Sequence, residues 1–286
     1  DPTQDLHIHL KKGMQKIDGK KAEQLLRFRH NNDGSSYPTE YGDNDFGRMR
    51  TQREFIKAVI KQTIDLLQKT YERQQHSYDK TITFYGGEPL LNFPMIQYFM
   101  QEVNRIKEIS YWPDDVKYAL ITNGSLLNED ILNFLNANNI ALSISFDIMK
   151  ESHLQRFDKY GKDTFNVVEE KINLCKKIGV PFSLSITLTE DLLKHEHEVF
   201  ERILSLQPTT IAYNLLIPNK ESVPEDTYYE RATEFMLNSF KLLREKGIYE
   251  DRIMRKVHSF KENKMHLYDC CAAGGNQFVI TPDGQV

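Results

Sequence analysis

A pair of glycines followed by a carboxylate ends a short β-branched and aromatic run of the sequence. Gly86 and Gly87 carry no side chain, so a ligand could approach the backbone closely there. Glu88 places a carboxylate beside them that could receive an ammonium group, and Pro89 fixes the exit towards the next helix. The same residues could also form a tight turn with Glu88 in solvent. The pattern therefore indicates either an ammonium-binding loop or a plain turn.

Further polar residues stand at or just beyond the ends of the next predicted strands. Asn123 both donates and accepts hydrogen bonds, although an Asn-Gly pair could equally form a turn. Ser145 and Asp147 are two residues apart and point to the same side of an extended chain, unless they form a strand end with an Asx turn. Arg156 could bind a carboxylate through two hydrogen bonds or lie on the surface. Asn214 would need a partner if it is buried. Together these groups suit a zwitterionic or ribose-containing ligand.

The cysteines give a second chemical clue. The three are Cys175, Cys270 and Cys271. They cannot build the disulfide framework of a small secreted domain, so we expect a reducing cytoplasm. Cys175 falls at an apolar position of a predicted helix and is interpreted as a packing residue.

The elements that must position these groups alternate along the chain. The alternation recurs about five times with short connections, which predicts right-handed βαβ units and a parallel sheet. The units are too few for a closed eight-fold barrel, so the predicted fold is α/β with an open partial (β/α) barrel. Ligands of such sheets bind at the carboxyl ends of the strands, where the polar residues stand. The predicted strands are 81–85, 117–122, 140–146, 182–187 and 210–216, and the predicted helices are 51–68, 93–106, 128–137, 165–178, 195–206, 225–246 and 251–264.

Both ends of the sequence depart from this alternation. Turn-forming residues dominate 31–47, which predicts a loop. At the other end, an apolar run at 278–280 and a Pro-Asp-Gly turn at 282–284 predict the start of a small C-terminal β-hairpin module. We therefore expect an N-terminal segment and loop (1–47), an α/β core (48–265) and the start of that module (266–286).

Composition excludes several classes of protein. The 286 residues are 40% hydrophobic, enough for one large α/β domain or two small ones. A net charge of -4, with both signs mixed, argues against nucleic acid or a membrane as the main partner. No apolar run approaches the roughly 18 residues of a membrane helix, and the polar first residues predict no signal peptide. The sequence has no P-loop and no Gly-x-Gly-x-x-Gly motif. It does not start with Met, and we expect it to be part of a longer protein.

The order and spacing of the motifs resemble one enzyme family. Residues 85–93 read Tyr-Gly-Gly-Glu-Pro-Leu-Leu-Asn-Phe, residues 122–127 read Thr-Asn-Gly-Ser-Leu-Leu, and residues 145–147 read Ser-Phe-Asp. Near the end, Cys271-Ala-Ala-Gly precedes a Val-Ile-Thr-Pro-Asp-Gly run at 279–284. This arrangement resembles the radical S-adenosylmethionine (SAM) peptide maturases that carry a C-terminal SPASM-type module. The resemblance covers about residues 48–286.

The resemblance implies cofactors, a substrate and residue roles. The cofactors would be SAM and [4Fe-4S] clusters, and the partner a precursor peptide or protein substrate. Hydrogen-atom abstraction from a ribosomally made substrate would yield a thioether, a carbon–carbon crosslink or an epimer. The implied cofactor-binding residues are Gly86, Gly87, Glu88 and Pro89 around the amino group of SAM, Asn123, Ser145 and Asp147 at its ribose or carboxylate, Arg156 at its carboxylate, and Asn214. Cys271, and less directly Cys270, would ligate an auxiliary iron–sulfur cluster.

One family feature is absent from the sequence. Members carry a Cys-x3-Cys-x2-Cys loop whose thiolates hold the cluster that cleaves SAM. The expected position lies before Tyr37, and residues 30–47 contain no cysteine. Either the loop belongs to residues absent from this sequence, which we favour because the polar strand-end residues are in place, or the chain is a relative that binds without radical chemistry.

Overall fold

The computed structural model describes residues 7–11, 13, 15–28, 44–73, 80–153, 156–158, 160–218, 224–261 and 279–280, without the side chains of 44–48 and 258–261. The chain forms two compact units. A helical unit comprises residues 1–77, 94–114 and 267–286, and a sheet unit comprises 78–93 and 115–266. The functional boundaries expected at 47 and 265 stay predictions. The predicted C-terminal hairpin lies almost wholly outside the described residues.

Local signals in the sequence set the helices of the helical unit. Helix α1 (Gly19–Arg27) begins where the Asp18 carboxylate accepts a hydrogen bond from the Lys21 N–H at 2.9 Å. Helix α2 (Asn44–Arg73) is held to α1 by the Gln52 amide, which donates to the Leu26 carbonyl at 2.9 Å. Helix α3 (Phe93–Ile109), which enters this unit at Pro94, buries residues spaced three or four apart. These are Ile96, Phe99, Met100 and Val103.

The described part of the sheet unit forms one six-stranded sheet in which each strand pairs in parallel with the next. The five predicted strands are confirmed, each within one residue at its ends. The sixth was not predicted, because two residues are too short to show alternation. The strands are β1 (Thr81–Phe84), β2 (Lys117–Thr122), β3 (Ile140–Ser145), β4 (Phe182–Leu188), β5 (Thr210–Leu215) and β6 (Tyr249–Glu250).

Helices connect these strands as expected for βαβ units. The Asn128 side chain caps α4 by accepting from the Ile131 N–H at 2.9 Å, and Gly179 ends α5 in the left-handed region at φ 80°. The helices are α4 (Glu129–Ala137), α5 (Phe165–Ile178), α6 (Glu196–Leu206), α7 (Tyr228–Glu245) and α8 (Asp251–Lys261), and Pro89–Asn92 and Leu192–Lys194 form short 3-10 helices. None of the described helices is both long and apolar enough to cross a membrane.

The two faces of the sheet differ. Alternate residues of β2 to β5 are buried, such as Leu120, Leu142 and Leu184, and they form the core with the buried stripes of α4 to α7. The residues between them are only half-buried and mostly small or polar. We call this second side the polar face; on β3 to β5 it carries Ser143, Ser145, Ser183, Ser185, Thr187, Ala212 and Asn214. Parallel sheets are usually apolar on both faces, so a polar face indicates a site for something other than a helix.

Candidate functional site

The polar residues singled out in the sequence lie at one edge of the sheet. Glu88 follows β1, Asn123 follows β2, Ser145 ends β3, and Asn214 is the penultimate residue of β5. Because all strands run in parallel, these positions share the carboxyl end of the sheet. This is the edge at which open α/β sheets bind ligands.

Glu88 joins the ends of the first two strands. Its Oε1 accepts hydrogen bonds from the Leu90 N–H at 3.0 Å and the Thr122 hydroxyl at 2.7 Å. Its Oε2 accepts from the Asn123 N–H at 2.8 Å. A carboxylate oxygen can accept two hydrogen bonds, so Oε2 retains room for one more donor. The half-buried carboxylate is therefore held in place and still able to receive an ammonium group.

Two glycines shape the backbone around this carboxylate. Gly86 has φ +146°, and apart from its own atoms and those of its two chain neighbours, no heavy atom of the described chain lies within 4 Å of the point where its Cβ would stand. The same open space surrounds Gly87. At Gly124, with φ +80°, a Cβ would stand 2.9 Å from Ile144 Cγ2 and 3.2 Å from Val168 Cγ1. Gly86 and Gly87 thus leave room for a ligand, whereas Gly124 lets the β2 turn pack against the core.

Asn123 forms the turn that was the alternative interpretation of its Asn-Gly pair. Its Oδ1 accepts from the Ser125 N–H at 2.9 Å and from the Ser125 hydroxyl at 2.7 Å. Among the described residues nothing accepts from its Nδ2, and the side chain is exposed. The turn therefore aims an amide donor away from the chain at the carboxyl edge.

A chain of hydrogen bonds crosses the polar face. Ser145 pairs in register with Ser185 of the next strand, so their side chains share a face. The Ser185 hydroxyl accepts from Asn214 Nδ2 at 2.8 Å, and Asn214 Oδ1 accepts from Arg252 Nη2 at 2.7 Å. Arg252 Nε also donates to the Tyr213 carbonyl at 2.7 Å. Asn214 thus has the partners that its position required, while the Ser145 hydroxyl bonds to none of the described residues.

Asp147 and Arg156 are bonded to each other. Arg156 Nε donates to Asp147 Oδ2 at 2.6 Å, and Nη2 donates to Oδ1 at 3.1 Å. The Thr187 N–H also donates to Asp147 Oδ1, at 3.1 Å. The Asp147 side chain is 7% exposed and that of Arg156 31%. The two residues implied to contact a ligand are therefore engaged with the protein itself.

The turn after Asp147 is strained. Ile148 is fully buried with φ 60°, in the left-handed region that a β-branched side chain rarely adopts. The Met149 N–H donates to the Asp147 carbonyl at 2.6 Å, which closes a three-residue turn around Ile148. Such backbone strain costs about 1–3 kcal/mol and persists only where the surroundings enforce it.

A buried histidine supports this turn. His153 packs between Phe146 and Phe165, with ring centroids 5.3 and 5.5 Å away. The Asp147 N–H donates to its Nδ1 at 3.5 Å, and its Nε2 lies 3.2 Å from the Thr164 hydroxyl. Burial lowers the pKa of His153 below its usual 6.5, and the nearby Asp147 carboxylate opposes that shift only in part. The imidazole is therefore neutral.

Sequence reasoning missed four residues that build this edge: Thr122, His153, Ser185 and Arg252. The alternation of apolar and small polar residues at 182–188 could have revealed Ser185 as part of a polar face. Thr122 was quoted within a motif but given no role. The partners of Arg252 are distant along the chain, and the contacts of His153 depend on the turn at Ile148, which no local signal predicts.

The described cysteine does not fit an iron–sulfur cluster. Cys175 is fully buried in α5, and burial raises the pKa of its thiol to about 11, so it is not a thiolate. The interpretation of Cys175 as a packing residue agrees with this. Cys270 and Cys271, predicted as ligands of an auxiliary cluster, lie outside the described residues, as does the stretch 29–43. Within the described ranges no group of three His, Cys, Asp or Glu residues could hold a metal ion.

A groove of about 500 Å³ lies between the loop after β3 and helix α6. It runs from the strained turn at Ile148 and Met149 to Glu198, Glu201 and Arg202 on α6. The groove does not include any residue proposed to bind a ligand, so we do not identify it with the candidate site.

Comparisons with known proteins agree with the fold. The model of the Radical SAM superfamily matches residues 45–203, and that of the LytR_cpsA_psr family matches the shorter range 1–80. A solved structure described as native anSMEcpe with bound AdoMet and Cp18Cys peptide superposes with a TM-score of 0.62 at 22% identity, covering 80% of this chain and 63% of that one. That similarity confirms the predicted fold, an open partial (β/α) barrel.

Two curated relatives are similar over most of the chain. The cysteine-type anaerobic sulfatase-maturating enzyme of Clostridium perfringens strain 13 is 26% identical over 254 residues, which are 84% of this chain and 64% of the relative. The radical SAM cyclopropyl synthase TigE of Paramaledivibacter caminithermalis is 21% identical over 235 residues, 78% of this chain and 47% of the relative. The chain thus spans less than two thirds of the length of either relative. Since the first family model matches more than half of its residues, the chain belongs to the Radical SAM superfamily.

Proposed function

We propose that the chain is the SAM-binding core of a radical SAM enzyme that modifies a peptide or protein. The observation that carries this proposal is the Glu88 carboxylate at the end of β1. It is oriented by three hydrogen bonds from the chain, keeps acceptor capacity on Oε2, and stands beside two glycines with open space around them. An amino acid ammonium group needs such an acceptor.

The remaining groups of the edge suit the other parts of SAM. Gly86, Gly87 and Glu88 would bind the amino group, with Pro89 starting the 3-10 helix that Glu88 caps. Ser145 offers an unengaged hydroxyl and Asn123 an unengaged amide donor for the carboxylate or ribose. Asn214, fixed by Ser185 and Arg252, would face the ligand further along the polar face. In this role the protein binds and orients the cofactor and excludes water from it.

The catalytic cluster does not fit the cysteines of this sequence. The three cysteines contain no Cys-x3-Cys-x2-Cys set, and Cys175 is a buried thiol. Cys271, with Cys270, is proposed to ligate an auxiliary cluster in a SPASM-type module that starts near residue 266.

The proposed substrate is a precursor peptide or protein. The solved relative holds a peptide, and the names of the curated relatives indicate sulfatase maturation and cyclopropyl formation. Large apolar side chains exposed near the carboxyl edge provide a surface for such a substrate. They include Tyr85 (73% exposed), Leu91 (78%), Phe157 (58%) and Ile217 (82%). The proposed reaction class is hydrogen-atom abstraction from a ribosomally made substrate, giving a thioether, a carbon–carbon crosslink or an epimer.

A second candidate function is binding without radical chemistry. The absence of the Cys-x3-Cys-x2-Cys loop from the sequence favours it. Such a protein would bind a peptide or a partner at the same edge and would neither hold a catalytic cluster nor cleave SAM.

One preparation separates the two functions. Full-length protein purified without oxygen is analysed for iron, for SAM bound at equilibrium, and for 5′-deoxyadenosine released after addition of dithionite. The proposed enzyme contains iron, binds SAM and forms 5′-deoxyadenosine. Protein that lacks iron and forms no 5′-deoxyadenosine would establish the second function, and protein that does not bind SAM would contradict the proposed site.

A further inference from the structure

The polar groups after β3 form a closed cluster, which we call the β3 cluster. Asp147 is its centre, bonded by Arg156 through two hydrogen bonds and by the Thr187 N–H of the neighbouring strand. His153 accepts from the Asp147 N–H and contacts the Thr164 hydroxyl. The Thr164 hydroxyl donates in turn to the Arg156 carbonyl at 3.2 Å. Every residue of the cluster therefore bonds to at least one other. The cluster consists of Asp147, His153, Arg156, Thr164 and Thr187.

The cluster fixes the part of the backbone that presents Ser145. Phe146, the next residue, is fully buried, and its N–H donates to the Ser185 carbonyl at 3.1 Å. Beyond it, the strained turn at Ile148 bends the chain back towards His153 and Arg156. A left-handed β-branched residue is retained only where surrounding contacts enforce it, and the β3 cluster provides those contacts.

We infer that Asp147 and Arg156 are positioning residues, which affect SAM binding by fixing the carboxyl end of β3 and do not contact the ligand. Nε and Nη2 of the Arg156 guanidinium both donate to the Asp147 carboxylate, and this carboxylate is only 7% exposed. The group presented to the ligand is the Ser145 hydroxyl, which we assign to the ribose that SAM and decarboxylated SAM share. This inference rests on the proposed SAM site and changes the roles that the family resemblance implied for Asp147 and Arg156.

The test compares two ligands that differ in one group. Decarboxylated SAM keeps the ammonium, the sulfonium and the nucleoside but lacks the carboxylate that Arg156 was expected to bind. Both ligands are titrated by calorimetry into the full chain and its variants Arg156→Ala and Arg156→Lys, with the folded fraction measured by circular dichroism. Arg202→Ala serves as a control, because Arg202 forms its ion pair with Glu169, away from the polar face.

A positioning role predicts that Arg156→Ala weakens both ligands by the same factor, on the order of tenfold. Arg156→Lys restores part of both affinities, because one charged hydrogen bond to Asp147 remains, and Arg202→Ala changes neither affinity. A loss confined to SAM would show direct contact with the carboxylate and overturn the inference. Unchanged affinity for both ligands in folded protein would also overturn it, leaving the cluster a purely structural role. Where Arg156→Ala does not fold, Arg156→Lys decides by the same comparison. A wild-type chain that binds neither ligand would instead refute the proposed SAM site itself.

Discussion

Glu88 and Asp147 are both carboxylates near the carboxyl end of a strand, and the structure uses them differently. Glu88 after β1 is half-buried, retains acceptor capacity and faces open space beside Gly86 and Gly87. Asp147 after β3 is 7% exposed and is bonded by a guanidinium and a neighbouring strand. The Glu88 carboxylate is available to a ligand, whereas the Asp147 carboxylate stabilises the fold. A carboxylate that follows a strand in the sequence therefore does not reveal its role until its donors are known.

The largest effect on stability is expected at Asp147. Asp147→Ala removes the acceptor of Arg156 and of the Thr187 N–H, and the freed guanidinium stays partly buried. We expect the free energy of unfolding to fall by about 2–4 kcal/mol, measured by urea denaturation. Glu151→Ala, at an exposed position of the same loop, is the matched control and should change it by less than about 0.5 kcal/mol.

The same substitution at Glu88, after β1, is expected to cost less unfolding free energy than Asp147→Ala. Glu88→Ala frees three neutral donors and no guanidinium, and water can enter the space that the half-buried side chain leaves, so its expected cost is only about 1 kcal/mol. Equal losses at Glu88 and Asp147 would mean that both carboxylates are structural, and the distinction between the two regions would be wrong.

An effect between those at Asp147 and Glu88 is expected at the β2 turn that holds Asn123 beside Glu88. Gly124→Ala combines a left-handed backbone with a Cβ only 2.9 Å from Ile144 Cγ2, and should cost about 2 kcal/mol of unfolding free energy. Gly179→Ala is the control, since Gly179 has the same φ of +80° but no described atom beyond its chain neighbours within 4 Å of its Cβ position. The Gly179→Ala control should lose about half as much unfolding free energy as Gly124→Ala. If both variants lost the same amount, packing would not be what fixes the β2 turn.

The smallest effect is a pH dependence at the end of β3. His153 is neutral when folded, and burial depresses its pKa below 6.5, while Asp147 and Asp163 raise it and Arg156 lowers it further. Below pH 6.5 the unfolded chain takes up a proton that the folded protein does not, so stability is lost as the pH falls. We expect the unfolding free energy of the wild type to decline more steeply than that of His153→Gln between about pH 7 and pH 5. If the unfolding free energies of the two proteins changed with pH in parallel, the pKa of His153 would be the same in the folded and unfolded protein, which would contradict this prediction.

Much of the fold could be predicted because its signals are local. Asn128 and Gly179 act within a few residues of the helices that they begin and end, and the helices predicted at 128–137 and 165–178 are present. The two-residue β6 has no such signal, since it is defined only by pairing with β5. The positions of Glu88, Asn123 and Ser145 at one edge followed from strand order alone.

The roles within the site depended on contacts that sequence does not record. Arg156 reaches Asp147 only because the chain turns back through Ile148, whose left-handed backbone no propensity predicts. Thr187 joins the same cluster from β4, 40 residues further along the chain. The family resemblance suggested which residues bind the cofactor. The hydrogen bonds distinguish Glu88 and Ser145, which can still bind a ligand, from Asp147, whose carboxylate is bonded within the protein.

The most direct test of the account compares the affinities of SAM and 5′-methylthioadenosine for the wild type and for Glu88→Gln. 5′-Methylthioadenosine lacks the amino acid group, so damage to the backbone around Glu88 weakens both ligands, whereas loss of an ammonium contact weakens SAM alone. A charged hydrogen bond is worth about 1.5–3 kcal/mol, so the preference for SAM should shrink at least about tenfold in Glu88→Gln. A preference for SAM that is the same in both proteins would contradict the assignment of Glu88 as the ligand-facing carboxylate.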